Sequence, residues 1–352
     1  MAEQQRYIYA GVLHIHTTYS DGTGSVTDVL DAAHEARLDW IIITDHDTRA
    51  ASPAEGWHND VLVLVGHEVT PTQSHFLALD VAEVINREQP PQAFIDETYA
   101  KGGFGVMAHP DDHLVDRTMG VHPWADWEIN RASSGAPIGI EIWNLMADWR
   151  SNRDSLPRPE QFTRPEPTLK GPTANVLAWW DRLNAQGQRT FALGGLDAHA
   201  FHMHHAGERY VVFPYFWLFQ TLTNYVLLDA PLSRDWATAS RQVYRALQQG
   251  QSYFVNRLYG PLPQSPFTAQ QAAHTAHLGD TLALADGPIT LRGELSDPAL
   301  ADTELRLIGN GDVLHTGTGR LHYTPTAPGT YRLEGRRAGQ HWLYTNPIYI
   351  TA

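Results

Sequence analysis

The sequence predicts an α/β chain in which a barrel-type domain of ~250 residues precedes a small all-β domain. Short apolar runs rich in Ile and Val alternate with helix-patterned stretches as far as Asn256, the pattern of parallel strands linked by helical crossovers. Ionisable residues recur where those runs stop. From about Gly260 the chain changes to short alternating strands set off by Gly, Pro and Asp, as in a β-sandwich.

The first unit reads as strand, loop and helix. YIYAGVLHIHT sets His14 and His16 two apart, so a side-chain period of two puts both imidazoles on one face. Asp21 follows in a turn-forming Ser-Asp-Gly, and Ser25 or Thr27 caps a helix whose apolar side is Val29, Leu30, Ala33 and Ala36. Trp40 to Thr44 is a buried strand ending in Asp45-His46-Asp47, and Val61 to Val65 is another ending in Gly66-His67-Glu68. His67 should point away from its neighbour Glu68 in an extended segment. After HFLALDV, which begins at His75, a helix is expected over Pro91 to Lys101, with Pro at its start and Gly102-Gly103 beyond its end. GVMA leads into His109-Pro110, and GIEIWN carries Glu141 inside an apolar strand, where a carboxylate needs a cation or donors.

Ser151 to Pro172, without apolar periodicity, reads as a loop or lid. Asn175 to Asn184 is helical, and the strand Thr190 to Leu193 leads to Gly194-Gly195-Leu196-Asp197-Ala198-His199. Strand Asn224 to Leu228, helix Trp236 to Gln249 and strand SYFVN complete the first domain, 1–258. The second, 259–352, is expected to pack on the barrel or mediate self-association.

Composition excludes several classes of chemistry. The absence of cysteine removes disulfides, thiolate zinc sites and cysteine nucleophiles, and it fits a cytoplasmic setting. A net charge of -14 works against a long nucleic acid partner, whose phosphates are met mainly by Lys and Arg. Neither a signal peptide nor a membrane span is legible, so no membrane partner is expected.

Gathered together, the strand-end residues are His14, His16, Asp21, His46, Glu68, His109, Glu141, Asp197 and His199. Imidazole nitrogen and carboxylate oxygen suit zinc, manganese or iron(II). A hydrolytic zinc keeps about three protein ligands and an open position, so this many donors imply two or three divalent ions. The alternative, a separate loop hydrogen bond for each residue, would have to recur independently at strand after strand.

The series His14 and His16, Asp21, His46 in ITDHDT, Glu68 in GHEVT, His109 in AHP, and Asp197 with His199 in GLDAHA resembles the polymerase and histidinol phosphatase (PHP) superfamily, from about Tyr7 to Asn256. The resemblance implies a distorted (β/α)7 barrel holding two or three metals. It would put His14, His16, Glu68 and Asp197 around a first ion, with Glu68 bridging to a second beside His109 and Glu141. Asp21, His46 and His199 would hold a third. Polymerase-type members have cysteine where this chain has Glu141, and the harder ligand favours manganese, iron or zinc. GIEIWN, QGQSYFVN and TNPIYI resemble the branch that includes carbaryl hydrolase.

The implied chemistry is metal-assisted hydrolysis by a hydroxide bridging two ions, since coordination brings the pKa of water from ~15.7 towards ~7. A phosphoesterase acting on a small phosphorylated, anionic substrate is the first expectation. Carboxylic ester, carbamate or amide hydrolysis is the second, and a non-catalytic metal scaffold with a partner-binding β domain the third. For proton transfer the candidates are His75, which matches a recurrent family histidine, and His202, with His204 and His205 behind them. Arg209 would meet the anion, and cations near the motifs otherwise look few, which keeps the carbamate reading open. Asp45 and Asp47 are expected to orient His46 or cap a turn, and Trp143, Trp149, Trp179 and Trp180 to be core rather than pocket wall.

Overall fold

The computed structural model describes residues 6–112, 124, 128, 129 and 131–352. The first elements are β1 (Tyr7–Ile15), α1 (Val26–Glu35), β2 (Trp40–Ile43), β3 (Gly56–His58), β4 (Val61–Val65), β5 (His67–Val69), β6 (Phe76–Leu79), α2 (Pro91–Ala100) and β7 (Phe104–Met107). Then come β8 (Gly139–Asn144), α3 (Leu145–Asn152), α4 (Glu160–Thr163), α5 (Ala174–Ala185), β9 (Ala192–Gly195), β10 (Phe201–His205), β11 (Glu208–Val212), α6 (Tyr215–Leu218), β12 (Leu222–Leu228), α7 (Trp236–Gln248) and β13 (Ser252–Asn256). The remainder is strand: β14 (Phe267–Gln271), β15 (His274–Ala276), β16 (Thr281–Ala283), β17 (Ile289–Glu294), β18 (Glu304–Gly309), β19 (Asp312–Thr318), β20 (Arg320–Tyr323), β21 (Gly329–Arg337), β22 (Gln340–Thr345) and β23 (Ile348–Thr351). The fold is mixed α/β with a large β-rich C-terminal part.

Local signals explain the helices that frame the site. Ser25 caps α1 with a reciprocal capping box: its hydroxyl accepts the Asp28 N–H, and Asp28 accepts the Ser25 N–H at 2.7 Å. Pro91 opens α2, where its missing N–H costs nothing. Helix α3 escaped sequence reading because Asn144 alone interrupts the apolar run from Ile142 to Met146; that residue is its cap and accepts the Ala147 N–H at 3.0 Å. Short helical turns also occupy much of 151–172, expected as loop.

The strand pairing departs from a continuous parallel barrel. One sheet holds parallel β1, β2 and β4, and another runs β5-β6-β7-β8-β9, with β6 antiparallel to both β5 and β7. Isolated bridges at Ile15–Ala198 and His46–Glu68 join the two sheets. The ladder loosens there for a physical reason. His14 is a bulge, skipped in the β1–β2 register with φ 65°, and Asp197 has φ 57°. A bulge turns a side chain out of the pleat, which is what an inward-facing ligand residue needs.

On its other edge the first sheet continues through β12 and β13 into β22, β21, β23 and β16. One sheet therefore crosses the composition change near residue 258. Tyr225, Leu227, Tyr253 and Val255 of β12 and β13 share a core with Phe267, Leu291, Leu333 and Trp342 of the C-terminal strands. Asn346 clamps the join: its Oδ1 accepts the Ala192 N–H at 2.7 Å, and its Nδ2 donates to Ala192 O and Ser252 O. Among the described residues no helix is long and apolar enough to cross a membrane.

Candidate metal centre

Donor atoms converge at the seam between the two sheets. His16, Asp21, His46 and His199 form one group, His14, His16, Glu68 and Asp197 a second, and Glu68, His75 and His109 a third, each with its ligand atoms within 4.8 Å of one another. His16 belongs to two groups and so does Glu68. His14 Nε2 stands 3.4 Å from both Glu68 Oε2 and Asp197 Oδ1, and His16 Nε2 stands 3.5 and 3.3 Å from the same two atoms. Donors that share an ion at about 2.1 Å lie roughly 3–4 Å apart. His46 Nδ1 lies 2.9 Å from Glu68 Oε2, and Asp21 Oδ1 lies 3.0 Å from His199 Nε2 and 3.4 Å from His46 Nε2.

His14 and His16 do face one site, but through the bulge at His14 and not by plain alternation. His14, His109 and Asp197 all take positive φ, a conformation that costs about 1–3 kcal/mol in a non-glycine residue and gathers at functional sites.

Several expected positions look different in three dimensions. Glu141 stands behind the cluster. Its Oε1 accepts from His14 Nδ1 at 2.7 Å, and its Oε2 accepts the His109 N–H at 2.8 Å and the Asn144 amide at 2.9 Å. Gly195 makes room for it, since a Cβ there would lie 1.7 Å from Glu141 Oε1. His75, expected as a proton donor, lines the cavity and lies 2.9 Å from Glu68 Oε1, which His109 also approaches at 3.2 Å. Asp45 and Asp47, expected to orient His46 or cap a turn, both take up loop contacts, Asp45 with Thr17 and Ser20 and Asp47 with Thr70 and Arg87. His67 points away, accepting the Ile85 N–H, and Trp143, Trp149, Trp179 and Trp180 are core.

Above the cluster lies a cavity of about 1430 Å³. His202 is on its rim, on the β10–β11 hairpin, whose Phe201 stacks on His199 with ring centroids 4.3 Å apart. Arg209 sits opposite His204 in that hairpin, exposed and outside the cavity wall. The expected scarcity of cations is overturned, because Arg87, Arg150, Arg153 and Arg158 all line the cavity. Sequence reading missed them because three come from the aperiodic stretch around α3 and α4. Runs of Arg and Pro there give no sign of which way the chain turns.

The charges interlock. Burial opposes a charged His14, yet Glu141, Glu68 and Asp197 outweigh it and raise its pKa well above the ordinary value. Burial, then His199 and His46, lower His16 to about 3. Burial is likewise overcome at His46, which Glu68 and Asp21 raise to about 11. Burial favours neutral carboxyls at Asp21, Glu68 and Asp197, but the surrounding imidazoles hold all three below the usual carboxylate range.

The donor set fits divalent ions. His14 Nε2, His16 Nδ1 and Nε2, His46 Nδ1 and Glu68 Oε2 are buried without a hydrogen bond, which is costly unless something else binds them. All donors are nitrogen or oxygen, suiting manganese, iron or zinc.

Residues 13–95 match the family model of the PHP domain, a similarity that supports a PHP superfamily protein. That match takes in His14, His16, Asp21, His46, Glu68 and His75; His109, Glu141, Asp197 and His199 lie beyond it. The chain is also 27% identical over 112 residues to the uncharacterized protein MJ1587 of Methanocaldococcus jannaschii, a stretch covering 28% of this chain and 66% of that protein. A two-domain protein of Bacteroides vulgatus ATCC 8482, containing a predicted PHP-like metal-dependent phosphoesterase, aligns over 98% of both chains at 14% identity and TM-score 0.46. A protein of Bifidobacterium adolescentis ATCC 15703, proposed to be a metal-dependent phosphoesterase, aligns over 56% of this chain and 88% of its own at 17% identity and TM-score 0.34.

Proposed function

We propose that this chain is a metal-dependent phosphoesterase acting on a small phosphorylated substrate at a centre of two or three divalent ions. Arg150 and Arg153 supply the observation that carries this reading. Both are largely buried and both line the cavity over the cluster; Arg150 places one nitrogen on the buried Asp112 carboxylate and is close enough to Asp197 and Glu68 to feel their charge. A guanidinium kept from water presents forked N–H donors that match a phosphoryl group far better than a neutral ester carbonyl.

His14, His16, Glu68 and Asp197 would hold one ion, Glu68, His75 and His109 a second, and His16, Asp21, His46 and His199 a third. Manganese, zinc or iron, when bound, would supply Lewis acidity and activate water at neutral pH. In this reading Glu141 is a positioning carboxylate. By accepting the His14 Nδ1–H hydrogen bond it fixes the tautomer that would leave Nε2 free for an ion, and its other contacts keep it out of the second group. His202 on the cavity rim is the candidate for returning a proton to the leaving group, while Arg150 and Arg153 hold the anion. We assign this chemistry to residues 1–258, with 259–352 buttressing β9 and β13.

The same donors would serve a carboxylic ester or carbamate, so the test compares substrates. Wild type and Arg153→Ala are assayed with manganese on p-nitrophenyl phosphate, a phosphodiester, and naphthyl acetate and carbamate. Phosphate esters should turn over fastest, with kcat/KM falling about 10²-fold in the variant and ester rates nearly unchanged. Faster turnover of naphthyl acetate or carbamate, indifferent to Arg153, would replace phosphoesterase with ester hydrolase.

A further inference from the structure

Asp21 is the odd member of the cluster. It lies on a loop and its side chain is 52% exposed, whereas His14, His16 and Glu68 show no exposure. An exposed loop carboxylate ordinarily samples many positions and loses that freedom when it binds. Yet the loop from Thr17 to Gly24 is fastened on every side. The Thr18 N–H donates to Gly24 O at 2.9 Å, closing the loop on itself. The Thr23 N–H donates to His199 O at 2.8 Å, and its hydroxyl donates to Ala200 O at 2.6 Å.

Two side chains outside the loop do most of the fastening. Asp45 is buried, and its carboxylate accepts the Thr17 N–H at 2.6 Å, the Thr17 hydroxyl at 2.8 Å and the Ser20 hydroxyl at 2.7 Å. Tyr215 on α6 is buried as well. Its hydroxyl donates to His16 O at 2.7 Å, lies 3.2 Å from His199 O, and accepts the Gly24 N–H at 3.3 Å. The ring lies so close to Gly24 that a Cβ there would stand 2.4 Å from a ring carbon. One phenol thus ties the backbones of two ligand residues to the loop that delivers a third.

We propose that Tyr215 and Asp45 are positioning residues for the Asp21 end of the cluster. They hold the loop so that Asp21 meets His46 and His199 already in place, and losing either weakens one divalent ion while sparing the others. This rests on the metal-centre reading. The backbone of His16 is also held by its N–H to Ala198 O at 2.9 Å, so the ions it shares with Glu68 and Asp197 keep their support when the phenol hydroxyl is removed.

The experiment is equilibrium dialysis of the full chain against graded Mn²⁺, with bound metal counted by mass spectrometry and melting followed in EDTA. Tyr215→Phe and Asp45→Asn are compared with wild type, with Ser20→Ala as a milder variant in case Asp45→Asn fails to fold. Tyr99→Phe is the control, since that hydroxyl donates to Pro137 O away from the cluster. Tyr215→Phe should weaken a single Mn²⁺ equivalent by roughly 10–100-fold, the usual effect of losing an outer support. The other equivalents should keep wild-type affinity, and Tyr99→Phe should change nothing. Unchanged binding of every equivalent, or an equal weakening of all, would overturn the proposal while leaving the metal centre standing. A wild-type chain that binds no Mn²⁺ would overturn the metal-centre reading and this inference with it.

Discussion

At the junction of α5 with the C-terminal strands, the buried Arg332 guanidinium forks onto Asp181 at 2.8 Å through two nitrogens, bonds Glu334 at 2.6 Å and lies over the Trp180 ring at 4.7 Å. At the seam between the sheets, His14 and His16 are equally out of water but keep ring nitrogens with no hydrogen bond. Both regions bury charge. In the first every charge is answered from within the chain, so its effect is on stability. In the second the charges converge on shared points that the chain does not fill, so its effect is on what binds. Buried charge taken alone says little about function; whether it is satisfied says more.

The comparison breaks most sharply at Glu68, which two donor groups share. Glu68→Ala should lower hydrolysis by roughly 10³-fold or more and remove bound metal, with circular dichroism unchanged. Near-wild-type turnover in metal-stripped variant protein would remove Glu68 from the centre. Arg332→Ala should do the reverse. It leaves Asp181 and Glu334 buried without their cation, at a cost of about 3–5 kcal/mol in urea unfolding, while metal content per folded chain stays the same. If metal is lost in proportion to stability, the two regions are not separable.

A finer contrast lies within the site. Glu141→Gln should weaken metal by about 10–100-fold without changing how many ions bind at saturation, as expected of a residue that holds a ligand. Loss of a whole equivalent would make Glu141 a ligand after all. The smallest effect is in protons. Without metal, His46 titrates at about 11 and His14 well above its ordinary value, so both carry protons at pH 7, whereas His16 at about 3 does not. Metal needs neutral imidazole, so loading at pH 7 should release protons from His14 and His46 but none from His16. Affinity should therefore rise as pH rises towards the pKa of His46. Calorimetry in buffers of different ionisation enthalpy measures the release, and zero release would contradict the pattern of charge in the cluster.

The strand-end histidines and carboxylates were legible in sequence because each needs only a local pattern, an apolar run that stops at an ionisable residue. His14, His16, His46, Glu68, His109, Asp197 and His199 follow it, Asp21 was read from its turn-forming Ser-Asp-Gly, and the helices opened by Ser25 and Pro91 from their local caps. Residues whose meaning depends on distant neighbours were not legible. Glu141 has the same local signature as the others, but nothing local announces its 2.7 Å contact across 127 residues with His14 Nδ1, on which its proposed positioning part rests. Arg150 and Arg153 sit in a stretch without periodicity, and only the path of α3 and the turn after it brings them over the cluster. The same holds for β13 and β22, whose pairing carries one sheet past the compositional break. Sequence by itself determined which side chains have the chemistry to bind metal, because donor type and strand position are local properties. Tertiary structure decided which of them come within reach of one another, which stand behind and which line the cavity, because those are distances between segments far apart in the chain.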